Sequence, residues 1–209
     1  MIDHEKKILF IHIPKCAGTF IEKHLTPNIQ WDKTDEKHLT MEHSIDKYGL
    51  DIVQSYYKFS IIRNPYERLV SFYLYQKRRN EKLFDSNLCD TLCRKYRTNY
   101  YNNFKDFVFN LQHYEHKLAV WVKNDIASCG YFLNNYHGIK MDLVIKQENL
   151  SDEISLLEEK FHIAFSNQKT NSSPEKYEYK NFYDRDTIAF VRKFYKDDFH
   201  HFYPEADLI

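Results

Sequence analysis

Glycine and proline are scarce in this chain, 4 and 5 among 209 residues, and no stretch rich in them or in serine interrupts it. Without a linker, residues 1–209 are expected to fold as a single domain around one substantial core. Net charge is missing as well, since 30 Lys and Arg balance 30 Asp and Glu. A general nucleic-acid binder draws its affinity from excess cationic charge, so nucleic acid is not an expected partner and any anion site must be local. No apolar run is long enough to span a bilayer. The first of them, Ile8–Ile13, follows the charged segment Asp3–Lys7 and carries no cleavage-site pattern. Stable membrane insertion is therefore not expected, and a cytoplasmic location is.

Cysteine is also sparse. Cys16, Cys89, Cys93 and Cys129 show neither zinc-knuckle nor CxxC spacing, so no metal site is expected and reduced thiols are the default. Cys89 and Cys93 lie one helical turn apart, which permits a disulfide on a helix, but the absence of export signals argues against one. The pattern Gly-x-x-x-x-Gly-Lys-[Ser/Thr] is absent, and no aspartate suited to Mg²⁺ follows a strand. Both absences count against a nucleoside-triphosphate hydrolase or a kinase.

What the chain has in abundance is aromatic side chains, 17% of residues, with 17 Tyr and 16 Phe. They are expected to build an aromatic core in place of aliphatic residues, with sugar stacking by a few of them as the alternative. Three short apolar runs read as buried strands: Ile8–Ile13, interrupted by His12 and stopped by Pro14; Tyr57–Ile62, followed by Arg63-Asn64-Pro65; and Leu143–Lys146, followed by Gln147-Glu148-Asn149. His12, on a buried strand, is expected to be a hydrogen-bonded core residue.

Each strand leads into a helix. Phe20–Leu25 follows the first. The second is followed by a helix with Asn64 as N-cap, Pro65 at its first position and Glu67 placed for a capping-box exchange, and the third by Asp152–Phe161 after an N-cap Ser151. Further helices are predicted at Phe104–His113, Glu115–Asn124, and Arg185–Phe199 after Asp184. The alternation predicts an α/β fold, P-loop-like, with three layers and a central mainly parallel sheet flanked by helices. Such sheets bind ligands beyond the carboxyl ends of their strands, so the residues after Ile13 and after Ile62 should converge.

The segment after Ile13 reads Pro14-Lys15-Cys16-Ala17-Gly18-Thr19 and leads into the first helix, the arrangement of a phosphate cradle. A helix start offers backbone N–H groups and partial positive charge, and Gly18 removes the Cβ that would hold a phosphate away. Lys15 adds a cation against a phosphate or a leaving oxygen, and Thr19 a hydroxyl that also suits the first turn of the helix. Cys16 is read as a small residue filling the loop, since no general base stands beside it to make it a nucleophile. Arg63 presents a guanidinium suited to bidentate phosphate recognition at the end of the second strand. Ser71, two turns into the following helix, is either a packing residue or a second donor to the same phosphate; Arg68 is assigned to an acidic structural partner.

These two segments carry a resemblance. IHIPKCAGT resembles the 5′-phosphosulfate-binding loop of sulfotransferases that use 3′-phosphoadenosine-5′-phosphosulfate (PAPS). SIIRNPYERLVSFYLY resembles their 3′-phosphate-binding motif, Arg-[Asp/Asn]-Pro-x-x-Arg-x-x-Ser-x-[Tyr/Phe], in the right order. The pattern resembles that of the carbohydrate sulfotransferases of family 2, the chondroitin, HNK-1 and heparan/uronyl 2-O types and their bacterial relatives. VIKQENLSDEISLLEEKFHI is similar to the family's strand, Glu-Asn-Leu and helix segment, and NSSPEKYEYKNFYDRDTIAFVRKFYKDDFHHF resembles its Tyr-rich close. The resemblance implies PAPS as co-substrate without a metal, and a carbohydrate hydroxyl as acceptor. It implies a loop of Lys15, Cys16, Ala17, Gly18 and Thr19 around the 5′-phosphate, with Lys15 assisting the leaving group. Arg63 and Ser71 would hold the 3′-phosphate.

Sulfuryl transfer to an alcohol also needs a base beside the acceptor hydroxyl. His38 lies between the two motifs, where 2-O-type and bacterial relatives place a catalytic or substrate-contacting histidine; His43, Glu42 and Glu22 stay open as bases. The basic stretch Gln76–Lys105, with Tyr96, Tyr100 and Tyr101 interleaved, suits an anionic glycan or is a solvated helix surface. Asn171, Ser172 and Ser173 form a polar loop, either a plain turn or one that closes over a ligand. Two other functions remain open: a non-catalytic nucleotide- or phosphate-binding module without a working base, and a small-molecule kinase.

Overall fold

The computed structural model describes residues 1–25, 36–84, 103–111, 126–165 and 177–206, with the side chains of 79–84 excepted. They form two compact units, one of Met1–Asn64 and Ala127–Pro174, the other of Pro65–Ile126 and Glu175–Ile209.

The first unit holds a four-stranded sheet in the order β1 (Ile2–Asp3), β2 (Ile8–Ile11), β3 (Tyr57–Ile62), β4 (Leu143–Lys146). The last three strands are parallel, with Ile11 opposite Ser60 and Ile62 opposite Lys146, and β1 pairs antiparallel with β2. β3 and β4 have the bounds read from their apolar runs. β2 is shorter than its run, because pairing with β3 ends at Ile11 while His12 and Ile13 continue buried beyond it. All four β2 residues are fully buried, and Phe10 stacks on Phe59 at 4.8 Å, as expected of a central strand covered on both faces. The edge strand β1 escaped the sequence reading because two residues carry no periodicity.

The same unit carries helices α1 (Gly18–Leu25), α2 (Met41–Tyr48) and α3 (Leu50–Ser55). α1 begins at Gly18, two residues before its first apolar position, so the loop runs straight into it. Thr40 caps α2 by accepting from the His43 N–H at 3.1 Å, and Gly49, at φ 90°, separates α2 from α3. In chain order α4 (Pro65–Phe84) and α5 (Phe104–Phe109) follow and belong to the second unit; α6 (Cys129–Leu133) and α7 (Leu150–Phe161) return to the first. The expected start of α7 is corrected. Its N-cap is Asn149 rather than Ser151, because a 3-10 turn at Gln147–Asn149 feeds the helix directly from β4.

The second unit is built on aromatics. Tyr73 meets Phe104 at 5.3 Å, Phe104 meets Tyr183 at 4.9 Å and Tyr66 meets Phe199 at 4.8 Å, and the Tyr183 hydroxyl donates to the Tyr66 carbonyl at 2.9 Å. Buried tyrosines of this kind add area while their hydroxyls still find acceptors. The helix expected over Arg185–Phe199 is two helices, α8 (Arg185–Phe194) and α9 (Lys196–Phe202), broken at Tyr195. Asp184 caps α8 in a reciprocal capping box with Thr187, as its position suggested. At the break Tyr195 leaves helical backbone (φ −105°, ψ 31°), and its buried hydroxyl donates to the Ile126 carbonyl at 2.7 Å.

The architecture is thus mixed α/β, with a mainly parallel sheet flanked by helices. Cys16 and Cys129 are buried and reduced. Cys89 and Cys93, the helix expected over Glu115–Asn124, most of the basic stretch after Gln76, and Asn171, Ser172 and Ser173 lie outside the described residues. Among the described residues no helix is long and apolar enough to cross a membrane.

Candidate functional site

The carboxyl ends of β2 and β3 are neighbours by register, so the chain segments leaving them emerge side by side. From β2, Pro14–Ala17 forms a turn and Gly18 opens α1. Two non-glycine residues of that turn, Lys15 at φ 66° and Ala17 at φ 57°, adopt left-handed backbone. Such residues cost about 1 kcal/mol each, and turns of this kind can gather backbone N–H groups into an anion-binding nest. The N–H groups of Gly18 and Thr19 follow at the helix start, where no carbonyl of the helix itself can reach them. The Cys16 N–H and thiol turn inward to the Ile13 and Pro14 carbonyls, so Cys16 closes the turn.

Gly18 has a reason that the sequence did not disclose. Its backbone is not left-handed; a Cβ here would overlap the His12 ring at Cδ2, Nε2 and Cε1. The histidine immediately past the β2 ladder is packed directly beneath the loop.

From β3 comes Arg63, 9% exposed, whose Nη1 donates to the Lys15 carbonyl at 3.3 Å. The two sequence motifs, 48 positions apart, therefore touch at their functional residues. A buried guanidinium beside a half-buried lysine and a nest of N–H groups concentrates positive potential at one sheet edge. Behind Arg63 the Asn64 N–H donates to Glu148 Oε1 at 2.7 Å, so the segment after β4 pins the turn that carries the arginine. Glu148 was the functional neighbour that sequence reasoning missed; its signal was its place after β4, matching that of Arg63 after β3. Ser71 is buried on α4 and belongs to the second unit, as does the buried Arg68.

His38 lies on a turn at 36–38 beside the end of β2. Its Nδ1 donates to the His12 carbonyl at 3.0 Å, and the two rings are 4.4 Å apart between centroids. Burial above all, together with the neighbouring His12 and Lys37 charges, pushes His38 down to about 3, against the His12 carbonyl and the Glu22 carboxylate, which raise it. A neutral imidazole donating through Nδ1 carries its lone pair on Nε2, the protonation state a general base needs. Glu22, 8% exposed on α1, lies 2.8 Å from His12 Nδ1 and 3.0 Å from Lys37 Nζ. His12 is buried, as its strand position suggested, but it is in contact with two of the candidate bases. Of the others, His43 is exposed on α2, and Glu42 accepts the Tyr136 N–H at 3.0 Å.

A family model described as "Sulfotransferase family" matches residues 1–204. A curated relative, carbohydrate sulfotransferase 10 of Gallus gallus, is 31% identical over 122 residues, covering 49% of this chain and 34% of that protein. The chain thus matches about a third of the length of this relative. No solved structure matches.

Proposed function

The chain belongs to the sulfotransferase family, in its family 2 carbohydrate branch, and from that premise we propose that it transfers the sulfuryl group of PAPS to a hydroxyl of a carbohydrate. We propose further that it does so within one P-loop-like, three-layer domain and without a metal. The observation that carries this reading is the Arg63–Lys15 contact, which joins the nest to the buried guanidinium at one sheet edge. A doubly phosphorylated nucleotide needs that pair of anion-binding groups, and the strained, N–H-lined turn fits the 5′ end of PAPS.

Bound there, PAPS supplies the sulfuryl group and, in its 5′-phosphate, the leaving group. The N–H groups at Gly18 and Thr19, with Cys16 and Ala17 shaping the turn, hold the 5′-phosphate, and Arg63 holds the 3′-phosphate. The Lys15 ammonium neutralises charge growing on the 5′-phosphate oxygen as the S–O bond breaks. His38 Nε2 takes the proton of the acceptor hydroxyl as the new S–O bond forms. A resting His38 near pKa 3 is a feeble base; a multiply charged anion beside it raises its proton affinity toward the working range.

The test combines binding and transfer. The product 3′,5′-adenosine bisphosphate should stabilise the protein to heat while ATP with Mg²⁺ does not, and ³⁵S from labelled PAPS should appear on a member of a glycan panel. Lys15→Ala and His38→Ala should lose the transfer. Binding without transfer to any acceptor would mark a non-catalytic module, and stabilisation by ATP with Mg²⁺ alone would mark a kinase; either result overturns the proposal.

A further inference from the structure

Glu22 is a costly residue to place where it is. A carboxylate 8% exposed needs partners, and this one gathers its partners from two different chain segments. Its Oε1 lies 2.8 Å from His12 Nδ1 and 3.0 Å from Lys37 Nζ; Oε2 lies 3.2 Å from the same ammonium.

An ion pair that merely clamped the core would join two regular elements. Lys37 is on none: it sits in the turn at 36–38, and the residue it immediately precedes is His38. That histidine is held from its other side by the His12 carbonyl at 3.0 Å, with the His12 ring 4.4 Å away. One carboxylate on the loop's own helix thus grips both supports of His38, its chain neighbour and the histidine whose carbonyl it donates to. His12, Glu22 and Lys37 are also the charged groups that act on the His38 ring.

We propose that Glu22 is the positioning residue for His38, holding Lys37 and His12 so that the His38 Nδ1–H stays on the His12 carbonyl and Nε2 remains the proton-accepting nitrogen. Glu22 is thereby removed from the possible bases, because both its oxygens are engaged with the Lys37 ammonium and one lies against the His12 ring. The linkage also explains why Gly18 is needed: the ring that Glu22 holds is the ring that fills the space of a Cβ at the loop. This role presupposes His38 as the base of the proposed sulfuryl transfer, and the measurements below let the two fail separately.

The variants are Glu22→Gln, which removes the charge at constant shape, and Lys37→Met, which removes the cation from an irregular turn. The Lys37 variant decides the matter if the first does not fold. Nitrogen-15 labelling of the histidines in the full chain reads the His38 tautomer directly, with and without 3′,5′-adenosine bisphosphate. The wild type should show the Nδ1–H form, and both variants a mixture of tautomers. Glu22→Gln should also move the His38 protonation midpoint down, since a negative charge that favours the imidazolium is gone. On the glycan that the wild type sulfates, kcat should fall about 10- to 100-fold, as for other partners that orient a functional histidine. Affinity for the bisphosphate should change by less than about twofold on the same reasoning. An unchanged tautomer in both variants overturns the proposal, and so does a loss of bisphosphate affinity equal to the loss of kcat, which would make Glu22 a brace for the loop. A wild type that transfers no sulfate overturns the reading of the function, while the tautomer still decides the role of Glu22.

Discussion

Replacing Gly18 by alanine sets two effects of opposite sign against each other. In a helix the change from glycine to alanine ordinarily gains up to about 1 kcal/mol, less at the first residue than in the interior. At Gly18 the new methyl would occupy the space of the His12 ring. That ring cannot step aside cheaply, since it stacks on Phe10 at 5.6 Å, lies 4.4 Å from the His38 ring and contacts Glu22 at 2.8 Å. Overpacking a buried site costs about 1–3 kcal/mol, and pulling the imidazole from its buried carboxylate costs about 1–3 kcal/mol more. The clash wins, for a net loss of about 1–5 kcal/mol, which lowers the melting temperature of a chain this size by about 2–20 °C. Thermal and urea unfolding of the full chain measure it. Gly138→Ala is the control: φ is 67° there with open space around the Cβ, so it should cost only about 1–2 kcal/mol of left-handed strain. If the His12 ring is the cause, adding His12→Ala to Gly18→Ala should cost less than the sum of the single changes. A Gly18→Ala protein that melts at or above the wild-type temperature refutes the reasoning.

Saturating 3′,5′-adenosine bisphosphate at about 100 times its Kd should add about 2.7 kcal/mol, a rise of about 5–10 °C in Tm, whereas ATP with Mg²⁺ should add nothing. Arg63→Ala should weaken bisphosphate binding by about 10- to 100-fold, the worth of a charge-assisted contact, as titration calorimetry can read; Arg63→Lys should not restore it, because an ammonium cannot reach the Lys15 carbonyl and a phosphate with the same fixed fork. His38→Ala should keep bisphosphate affinity and lower kcat by about 10²- to 10⁴-fold; steady-state kinetics at equal turnover would clear His38 of any part in the chemistry. The depressed His38 also sets an acid slope. The unfolded chain takes up that proton below about pH 6.5 while the folded one resists until about 3, so stability should fall by up to about 1.4 kcal/mol per pH unit across that window and be unaffected above it. Urea unfolding of His38→Gln from pH 7 to pH 4 should show the shallower slope.

Local chemistry was legible wherever it is written in neighbouring residues. The apolar runs at Tyr57–Ile62 and Leu143–Lys146 became β3 and β4 with the same bounds, Asp184 capped its helix, and the loop from Pro14 to Thr19 stands at a helix start next to Arg63. Periodicity, caps and turn residues act over one or two turns of chain, so they survive without knowledge of the fold. The site was legible only as two motifs with a list of possible bases. The contacts among those residues join positions far apart and were not legible: His12 with Glu22, Glu22 with Lys37, and the His38 ring on the His12 carbonyl.

Taken alone, the amino-acid order determined the alternation of strands and helices, the phosphate-loop and arginine motifs, and through them the family. Only the tertiary structure decided that the left-handed positions of the loop are Lys15 and Ala17 while Gly18 makes room for an imidazole, that one long C-terminal helix is two, and that Glu22 lies against His12 and Lys37. The physical reason is range. A strand or a cap is stabilised by residues a few places away, whereas strand register and the rotation of α1 determine which carboxylate meets which ring, and those depend on the packing of the whole unit.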